Sequence, residues 1–235
     1  MITDDPDTVG NRNWEINVAD VASFSRTERV DLAPYLDINY GVGDRIQLKV
    51  EGGYGTDQIY GQRSQSGLGP LLTGVRWKYW DQEKDGKLSA SMYPQFGSHA
   101  VVTSRDAGIA PAGNYWLLPM QFSKRWGPLA LVSDIGYQYQ TRNADSCYGG
   151  LLFAWEPRKD FELLAELHGD VAARGGDGDL IVNFGTRVPL SAKALIIASV
   201  GHTVKTLADA DSQPLSYLPG AQSQWLTYLG MQFRL

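Results

Sequence analysis

The sequence predicts an all-β chain, folded as a closed antiparallel transmembrane β-barrel of about twelve strands with short periplasmic turns and long extracellular loops. Apolar and polar residues alternate with a period of two in segment after segment, which is typical of strands with two unlike faces. Aromatic residues cluster toward both ends of these segments, and the connections between them are mostly short at one end and long at the other. The three patterns together favour a barrel of the bacterial outer membrane.

Composition narrows the class of protein. The chain has 235 residues, of which 43% are hydrophobic and 20% charged, enough for one large domain. A net charge of -5 and the lack of a basic patch argue against a nucleic-acid partner. The single cysteine, Cys147, cannot form an internal disulfide, and no Cys/His cluster has the spacing of a zinc site, so no metal is predicted. The longest uncharged aliphatic run, 194–201, is far shorter than the about 20 residues of a membrane helix.

Residues 30–54 show the strand pattern most clearly, because apolar residues at even positions and polar residues at odd positions continue through a Gly43-Asp44 turn. Tilted membrane strands need about 9 to 11 residues, and an even number of them suits a barrel. The backbone of an open sheet edge would lack partners in lipid, so a sheet with an apolar exterior has to close. The twelve predicted strands cover residues 13–24, 30–42, 45–55, 68–80, 87–97, 115–126, 128–140, 147–156, 161–172, 179–189, 193–204 and 225–235.

The apolar face carries the aromatic residues that we expect to form two interfacial girdles. Aliphatic residues such as Leu48, Val75 and Leu131 lie between the two groups, as expected for a hydrocarbon band. The predicted girdle residues are Tyr40, Tyr54, Trp77, Tyr79, Phe96, Trp126, Tyr137, Tyr139, Trp155, Trp225 and Phe233.

The polar face carries acids and bases in nearly equal number, which predicts an ion-paired lumen. On a soluble barrel the same face would be a solvated surface, and that alternative stays open. Twelve strands fall between about 8, which side chains fill, and 16 or more, which leave an open channel, so we expect a narrow path. The predicted lining residues are Asp31, Tyr35, Asp37, Arg45, Lys49, Glu51, Arg76, Lys78, Tyr93, Arg125, Asp134, Glu162, Glu166, His168, Asp170, Arg187, Tyr228 and Arg234.

Three stretches resemble a known family. NWEINVA at 13–19, LDINYGVGDRIQLKVE at 36–51 and GLGPLLTGVRWKYW at 67–80 are similar to the outer-membrane channels of Gram-negative bacteria that are named for the meta-pathway of phenol degradation. The resemblance implies a channel for passive uptake of small hydrophobic or aromatic solutes, without a cofactor or an energy source. It does not identify the compound.

An outer-membrane barrel is expected to contact outer-membrane lipid and lipopolysaccharide. The final segment, 225–235, looks like the terminal strand that the barrel-assembly machinery recognises, although its last aromatic residue, Phe233, lies two residues before the end. The N-terminus lacks the basic start and apolar stretch of a secretory signal, so we expect a leader already removed from this numbering.

The segment before the first strand, residues 1–12, is acidic. It is either periplasmic or inserted in the lumen, where it would pair with inward bases, or it is a frayed terminus; residues 13–235 are the predicted barrel.

Several positions interrupt the alternation. Asp20 falls on the lipid side, which predicts either a bulge near Ala19 or the end of the membrane portion of this strand there. Strands 147–156 and 193–204 are apolar on both sides, so their facing is left open. The prolines at 34, 70, 94 and 119 mark kinks or bulges, with or without a lateral exit for apolar solutes, or they mark strand ends.

The alternative function is an outer-membrane lipid-modifying hydrolase. Glu166, His168 and Asp170 would share an inward edge, but no serine is placed beside them and neither G-x-S-x-G nor H-E-x-x-H occurs, so a lumen histidine satisfied by charges is favoured and no catalytic residue is predicted. Neither His99 nor His202 is flanked in this way by acidic residues.

The sequence leaves two further alternatives, one for the segment 174–179 and one for the class of fold. RGGDGD at 174–179 would bind calcium through Asp177 and Asp179 or form a hairpin turn, and the turn is favoured. A soluble ligand-binding barrel or a propeller is the third class of fold, although the internal repeats of a propeller do not appear.

Overall fold

The computed structural model describes residues 1–98, 109, 113–176, 178–207 and 224–235, and nearly all of their regular structure is strand. The described part of the chain holds one four-residue helix, Gln82–Asp85, and no helix with the length and hydropathy to span a membrane. The strands are β1 Trp14–Phe24, β2 Glu28–Val42, β3 Ile46–Ile59, β4 Gln65–Leu68, β5 Leu71–Trp80, β6 Ser89–Met92, β7 Gln95–Ser98, β8 Tyr115–Trp126, β9 Leu129–Gln140, β10 Ser146–Arg158, β11 Phe161–Ala172, β12 Gly178–Ser191, β13 Ala194–Leu207 and β14 Trp225–Arg234.

The sheet closes on itself. All described pairings are antiparallel between neighbours in the wall, β4 continues into β5 as one wall strand, and β6 continues into β7 as another. The first and last strands pair from Glu15↔Arg234 to Phe24↔Trp225, so no edge is left at the seam. The fourteen described strand segments therefore form the predicted closed barrel of twelve strands.

The two faces of the wall are opposite in character to those of a soluble barrel. On the exterior, Ile135, Phe184 and Leu229 are 58%, 60% and 61% exposed, whereas the inward-facing Ser91 and Gln121 are 0% and 1% exposed. An exposed aliphatic band of this extent is stable only against lipid. The alternative of a soluble barrel or propeller is therefore wrong.

The two ends of the barrel differ in their connections. At one end, called the turn end, the strands are joined by the helix or by turns of two or three residues, and Gly43, Gly86 and Gly127 adopt positive φ there (67°, 72° and 59°), which residues with a Cβ rarely do. The other end, called the loop end, holds the segments 60–64, 141–145 and 173–177 and a tight connection at 25–27. Both termini of the barrel wall lie at the turn end.

One bulge, in β2, changes which residues face the lumen. Between Ala19 and Val21 the partners in β2 move by three residues while β1 moves by two, and β1 pairs with β14 without a shift. The extra residue therefore belongs to β2, and the bulge expected in the first strand near Ala19 is wrong. The same irregularity appears against β3, between Leu32 and Tyr35 around Pro34, and it lets both of these residues line the lumen although they are three positions apart. Asp31 consequently faces outward.

The prediction that Asp31 lines the channel is therefore wrong. Its carboxylate forms an ion pair with Arg29 at 2.7 Å on the outer face near the loop end. The bulge at Pro34 inserts one residue, and every side chain before it moves to the other face of the wall.

The prolines at positions 94 and 119 leave the ladder in register. Pairing of β6 and β7 with β8 runs from Ser89↔Ser123 to Gly97↔Tyr115 without a shift, and Tyr93 N–H donates to Pro119 O at 3.1 Å in between. The described wall thus has no gap at this seam, and the hypothesis of a lateral exit between these strands is wrong. Pro70, by contrast, separates β4 from β5.

The two strands with apolar residues on both faces contribute apolar residues to the lumen. In β10, Leu152 and Ala154 are buried inside, while Leu151 and Phe153 are exposed outside. In β13, Leu195 and Ile197 line the interior cavity. The lumen therefore carries an apolar stripe.

We predict that an arginine at position 135, near the middle of β9, lowers the free energy of unfolding by roughly 2–4 kcal/mol, because its charge would lie in the hydrocarbon core. The measurement is a urea titration of the protein folded in lipid vesicles, followed by tryptophan fluorescence. Ile135→Leu is the matched control and should leave stability nearly unchanged. Equal stability of Ile135→Arg and the wild type would contradict a lipid-facing exterior.

Candidate functional site

The candidate site is the lumen, which contains a cavity of about 1080 Å³. Its wall is built from the inward faces of strands all around the barrel together with the N-terminal segment, defined here as residues 1–13. The period of two in each strand places its polar residues on this wall. The lumen is the only place where so many ionisable groups can lie away from lipid.

The N-terminal segment enters the barrel at the turn end. Thr8 Oγ1 donates to Asp44 O at 2.8 Å, and Arg12 N–H donates to Gly41 O at 2.9 Å. The N–H of Gly43 donates to Asn11 Oδ1 at 3.0 Å. These contacts tie the base of the segment to the β2–β3 turn.

The tip of the segment is bound near the middle of the lumen. Glu166 accepts hydrogen bonds from the backbone N–H groups of Ile2, at 2.9 Å, and of Thr3. Asn183 Nδ2 donates to the same carboxylate at 2.6 Å. A carboxylate that is 3% exposed is stable here because three donors replace its hydration.

The other side of the segment contacts β5. Arg76 forms an ion pair with the Asp4 carboxylate and donates through Nη1 to Asp7 O at 2.6 Å. Lys78 Nζ lies 3.4 Å from the Asp7 carboxylate. The segment thus links β5 to β11 across the lumen and narrows the path.

Asp5 lies in the same segment and forms no ion pair with a cation of the described part of the wall. Burial raises the pKa of Asp5 above its ordinary value, and the neighbouring Asp4 carboxylate raises it further, while Arg76 acts in the opposite direction.

Glycines in the wall make room for this segment. A Cβ at Gly150 would overlap Thr3 Oγ1 and would lie 2.8 Å from Asp134 Oδ1 and 2.9 Å from His168 Nδ1. A Cβ at Gly41 would overlap the carbonyl of Gly10. The segment therefore lies in a groove that any larger residue at these positions would fill.

Above the turn-end mouth, two groups of ion pairs line the wall. Lys49 lies between Asp37, at 3.8 Å, and Glu51, and its ammonium is 5.7 Å from the centre of the Tyr93 ring. The Arg76 guanidinium lies 4.2 Å from the same ring. The Tyr93 ring thereby separates two cations that are each paired with acids.

The second group lies near the turn end on the other side of the barrel. Arg187 donates to Glu162 at 3.0 Å, and Arg125 lies 3.9 Å from Glu162 and 3.4 Å from Glu156. These pairs neutralise the mouth through which a solute would leave.

Apolar side chains occupy two places on the lumen wall. Leu72, Tyr115 and Leu117 form a buried cluster toward the loop end, with Tyr148 packed against it. The second cluster packs against Met1 and contains Ala130, Val132, Leu152, Ala154 and Leu164. A solute that moves along the axis passes apolar as well as ionic surface.

Most predicted lining residues do face the lumen. Lys78 and Glu166 are buried against the N-terminal segment, and Asp170 lies toward the loop end, opposite Asp179 in register. The predicted residues that line the cavity directly are Tyr35, Asp37, Lys49, Glu51, Arg76, Tyr93, Arg125, Asp134, Glu162, His168, Arg187, Tyr228 and Arg234.

The prediction that Arg45 lines the lumen is wrong. Arg45 is exposed in the β2–β3 turn, where its Nη1 donates to Tyr79 O at 3.1 Å. Arg45 belongs to the turn and not to a strand, so the alternation of inward and outward side chains does not extend to it.

The aromatic residues predicted for the girdles lie on the outer face. Trp77, Trp126 and Trp225 are each more than half exposed. Ring pairs brace both ends of the wall: Trp14 and Tyr40 lie 4.6 Å apart at the turn end, and the rings of Phe96 and Trp116 lie 4.8 Å apart toward the loop end. The remaining predicted girdle residues, Tyr54, Tyr79, Tyr137, Tyr139, Trp155 and Phe233, share this face by strand parity.

The histidine edge that suggested a hydrolase does not form a relay in the described contacts. The Glu166 carboxylate is occupied by Ile2, Thr3 and Asn183, and Nδ1 of the buried His168 has no hydrogen-bond partner. His202 packs on Trp225, with the rings 4.4 Å apart.

His99 and Asp177 lie outside the described residues, so the hypotheses that concern these two positions are not tested here.

Sequence reasoning missed several lumen residues. Gln47, which accepts from Val9 N–H at 3.1 Å, and the buried Gln95 and Gln121 lie on inward positions of their strands. Strand parity would have found these three, because each is polar between apolar neighbours. The contacts of Thr3 and Asp4 had no sequence signal, since the N-terminal segment has no periodicity.

Comparison with known proteins concerns the fold. The chain matches no protein-family model and no curated protein sequence. An outer membrane channel from Pseudomonas putida F1 is similar with a TM-score of 0.74 and 12% identity over 100% of both chains. The NanC porin is similar with a TM-score of 0.64 and 10% identity, over 94% of this chain and 100% of the porin. The CymD monoaromatic hydrocarbon channel is similar with a TM-score of 0.51 and 8% identity, over 96% of this chain and 89% of the channel. The chain therefore has the fold of outer-membrane channels.

We predict that Gly150→Leu displaces the tip of the N-terminal segment, because the new side chain would occupy the position of Thr3. The measurement is the rate at which a polar maleimide labels Thr3→Cys in a Cys147→Ser background. Labelling should become at least several-fold faster with Gly150→Leu.

Gly149→Leu is the matched control, since Gly149 faces outward and a Cβ there meets only ordinary contacts at 3.4 Å and beyond. Equal labelling rates in the two variants would show that the tip does not occupy this groove.

Proposed function

We propose that the chain is a passive channel of the bacterial outer membrane that admits small hydrophobic or aromatic solutes down their concentration gradient. The observation that carries the proposal is the apolar cluster of Leu72, Tyr115 and Leu117, which lines the cavity beside the ion pairs of the lumen. A hydrated ion gains no stabilisation from a buried apolar wall, whereas an apolar solute is stabilised by about 25 cal/mol for each Å² of apolar surface that it buries there.

The occupied lumen supports the same solute class. The N-terminal segment bridges Glu166 and Arg76 across the lumen, and the space that it leaves free is a cavity of about 1080 Å³. Rapid flow of hydrated ions needs a wide wet path, but a small ring compound does not. The solute class also agrees with the name of one protein of similar fold, the CymD monoaromatic hydrocarbon channel.

We also propose that the chain belongs to a particular family of outer-membrane channels. The stretches at 13–19, 36–51 and 67–80 support membership in the channel family named for the meta-pathway of phenol degradation. Residues 1–12 would then act as a lumen segment and residues 13–235 as the barrel. We propose contacts of the outer face with lipid and lipopolysaccharide, and assembly by the barrel machinery through residues 225–235, whose outward side chains form an alternating apolar row.

We expect that expression of the chain in a Gram-negative host speeds the uptake of N-phenylnaphthylamine, an apolar aromatic dye that fluoresces on reaching the membrane interior. Leu117→Trp should abolish most of this increase, because the larger side chain fills the apolar part of the lumen. The readout is the initial rate of fluorescence increase in intact cells.

Leu118→Trp is the control for this experiment, since Leu118 is 48% exposed on the outer face one residue away. A polar dye of similar size reports on general membrane damage. The proposal fails if wild type and empty vector take up the apolar dye at the same rate, or if both tryptophan variants behave alike.

A further inference from the structure

Three polar atoms of the lumen wall are buried without a hydrogen-bond partner among the described residues: Arg76 Nε, Tyr93 Oη and Gln95 Oε1. Their side chains are among the most enclosed in the barrel, with residue exposures of 4%, 1% and 8%, and all three line the cavity. A buried polar group without a partner is destabilising by about 1–3 kcal/mol. Because their side chains line the cavity, a ligand bound there could supply the missing hydrogen-bond partners.

The three side chains form one cluster, called the polar triad. Gly74, on the inner face of β5, leaves space into which its neighbours lean: a Cβ there would lie 2.7 Å from Gln95 Cγ and 3.1 Å from Tyr93 Cε2. The Arg76 guanidinium stacks on the Tyr93 ring at 4.2 Å. The strand register holds the arrangement, because Gly74 is paired with Gln95.

An apolar wall borders the polar triad on its loop-end side. Leu117 is directly opposite Gln95 in the ladder, and Leu72 precedes Gly74 by one inward position of β5. Both leucines pack with Tyr115, whose ring covers Gly97 so closely that no Cβ fits there. A solute arriving from the loop end would therefore meet apolar surface first and polar atoms behind it.

The charges around the triad disfavour an anionic ligand. Among the described residues, Lys49 is paired with Asp37 and Glu51, Arg76 with Asp4, and Lys78 with Asp7 and Asp81. An incoming carboxylate would meet these acids and no unpaired cation. The acceptor Gln95 Oε1 also repels a carboxylate but binds an O–H donor.

A neutral hydroxyl has the hydrogen-bonding capacity that both kinds of atom in the triad need, because it donates one hydrogen bond and accepts others. Its oxygen accepts from the N–H of Arg76 Nε or from Tyr93 O–H, and its hydrogen donates to Gln95 Oε1. We propose that the polar triad is a head-group subsite for uncharged solutes that carry one hydroxyl on an apolar body, with the body packed on Leu72, Tyr115 and Leu117. This inference rests on the proposed channel function and adds a selectivity to it.

The test compares benzyl alcohol with toluene, which has the same ring without the hydroxyl. Binding is measured by equilibrium dialysis against the full chain in lipid nanodiscs, with empty nanodiscs as the blank. Tyr93→Phe removes only a hydroxyl and should weaken benzyl alcohol binding about fivefold, the effect of one hydrogen bond, while toluene binding stays unchanged. Gln95→Leu should likewise lower the ratio of the affinity for benzyl alcohol to the affinity for toluene.

Tyr228→Phe is the matched control, since Tyr228 also lines the cavity but lies on β14, outside the triad. Heat-dependent gel mobility verifies that each variant folds. The subsite is overturned if Tyr93→Phe and Gln95→Leu keep the wild-type ratio, if Tyr228→Phe lowers it equally, or if benzoate binds as well as benzyl alcohol.

The two proposals fail in distinguishable ways. Unchanged ratios together with rapid uptake of the apolar dye by cells remove the subsite and leave the channel. Absence of binding for both solutes, together with dye uptake no faster than in empty-vector cells, removes both.

Discussion

Lipid offers no hydrogen-bond partner to a backbone N–H or C=O, and the rest of this structure depends on that constraint. Every wall strand must be paired on both sides, so β1 has to meet β14, and it does so along ten residue pairs from Glu15↔Arg234 to Phe24↔Trp225. The lipid also accepts only apolar side chains on the outer face. The alternation of each strand then sends its charged residues to the lumen.

A lumen filled in this way needs partners for its charges. The wall supplies some of them, as in the pairing of Arg187 with Glu162, and the N-terminal segment supplies others by presenting backbone N–H groups to Glu166 and a carboxylate to Arg76. Among the described residues, Tyr93 Oη and Gln95 Oε1 remain unpaired, and their side chains line the cavity. The same surplus of polar groups thus both holds the segment in place and leaves hydrogen-bonding positions beside the apolar part of the path.

Strand parity explains how far the sequence could predict this arrangement. It placed Lys49, Arg76 and Glu166 inside and Trp77 outside, because each lies in an unbroken run of alternation. It failed for Asp31, since a bulge at Pro34 reverses parity, and a bulge depends on local pairing that a single sequence does not display. The sequence left the position of the N-terminal segment open between the lumen, the periplasm and a frayed terminus, because its partners lie 164 and 72 residues away along the chain. The cluster of Leu72 and Leu117 was not predicted because each of them has an apolar neighbour on the outer face, Leu71 and Leu118, and periodicity does not tell inside from outside in such a pair.

The central claim is that the apolar, aromatic face of the barrel contacts lipid. The chain contains 7 tryptophans, and the structure places every one of them on the outer face, with exposures of 44% or more. The direct test is tryptophan fluorescence of the folded chain in bilayers whose acyl chains carry bromine either near the headgroup or near the bilayer centre. The account predicts strong quenching by both lipids, and stronger quenching by bromine near the headgroup, where the girdles lie. Fluorescence that brominated lipid leaves unchanged and that a water-soluble quencher removes would contradict it.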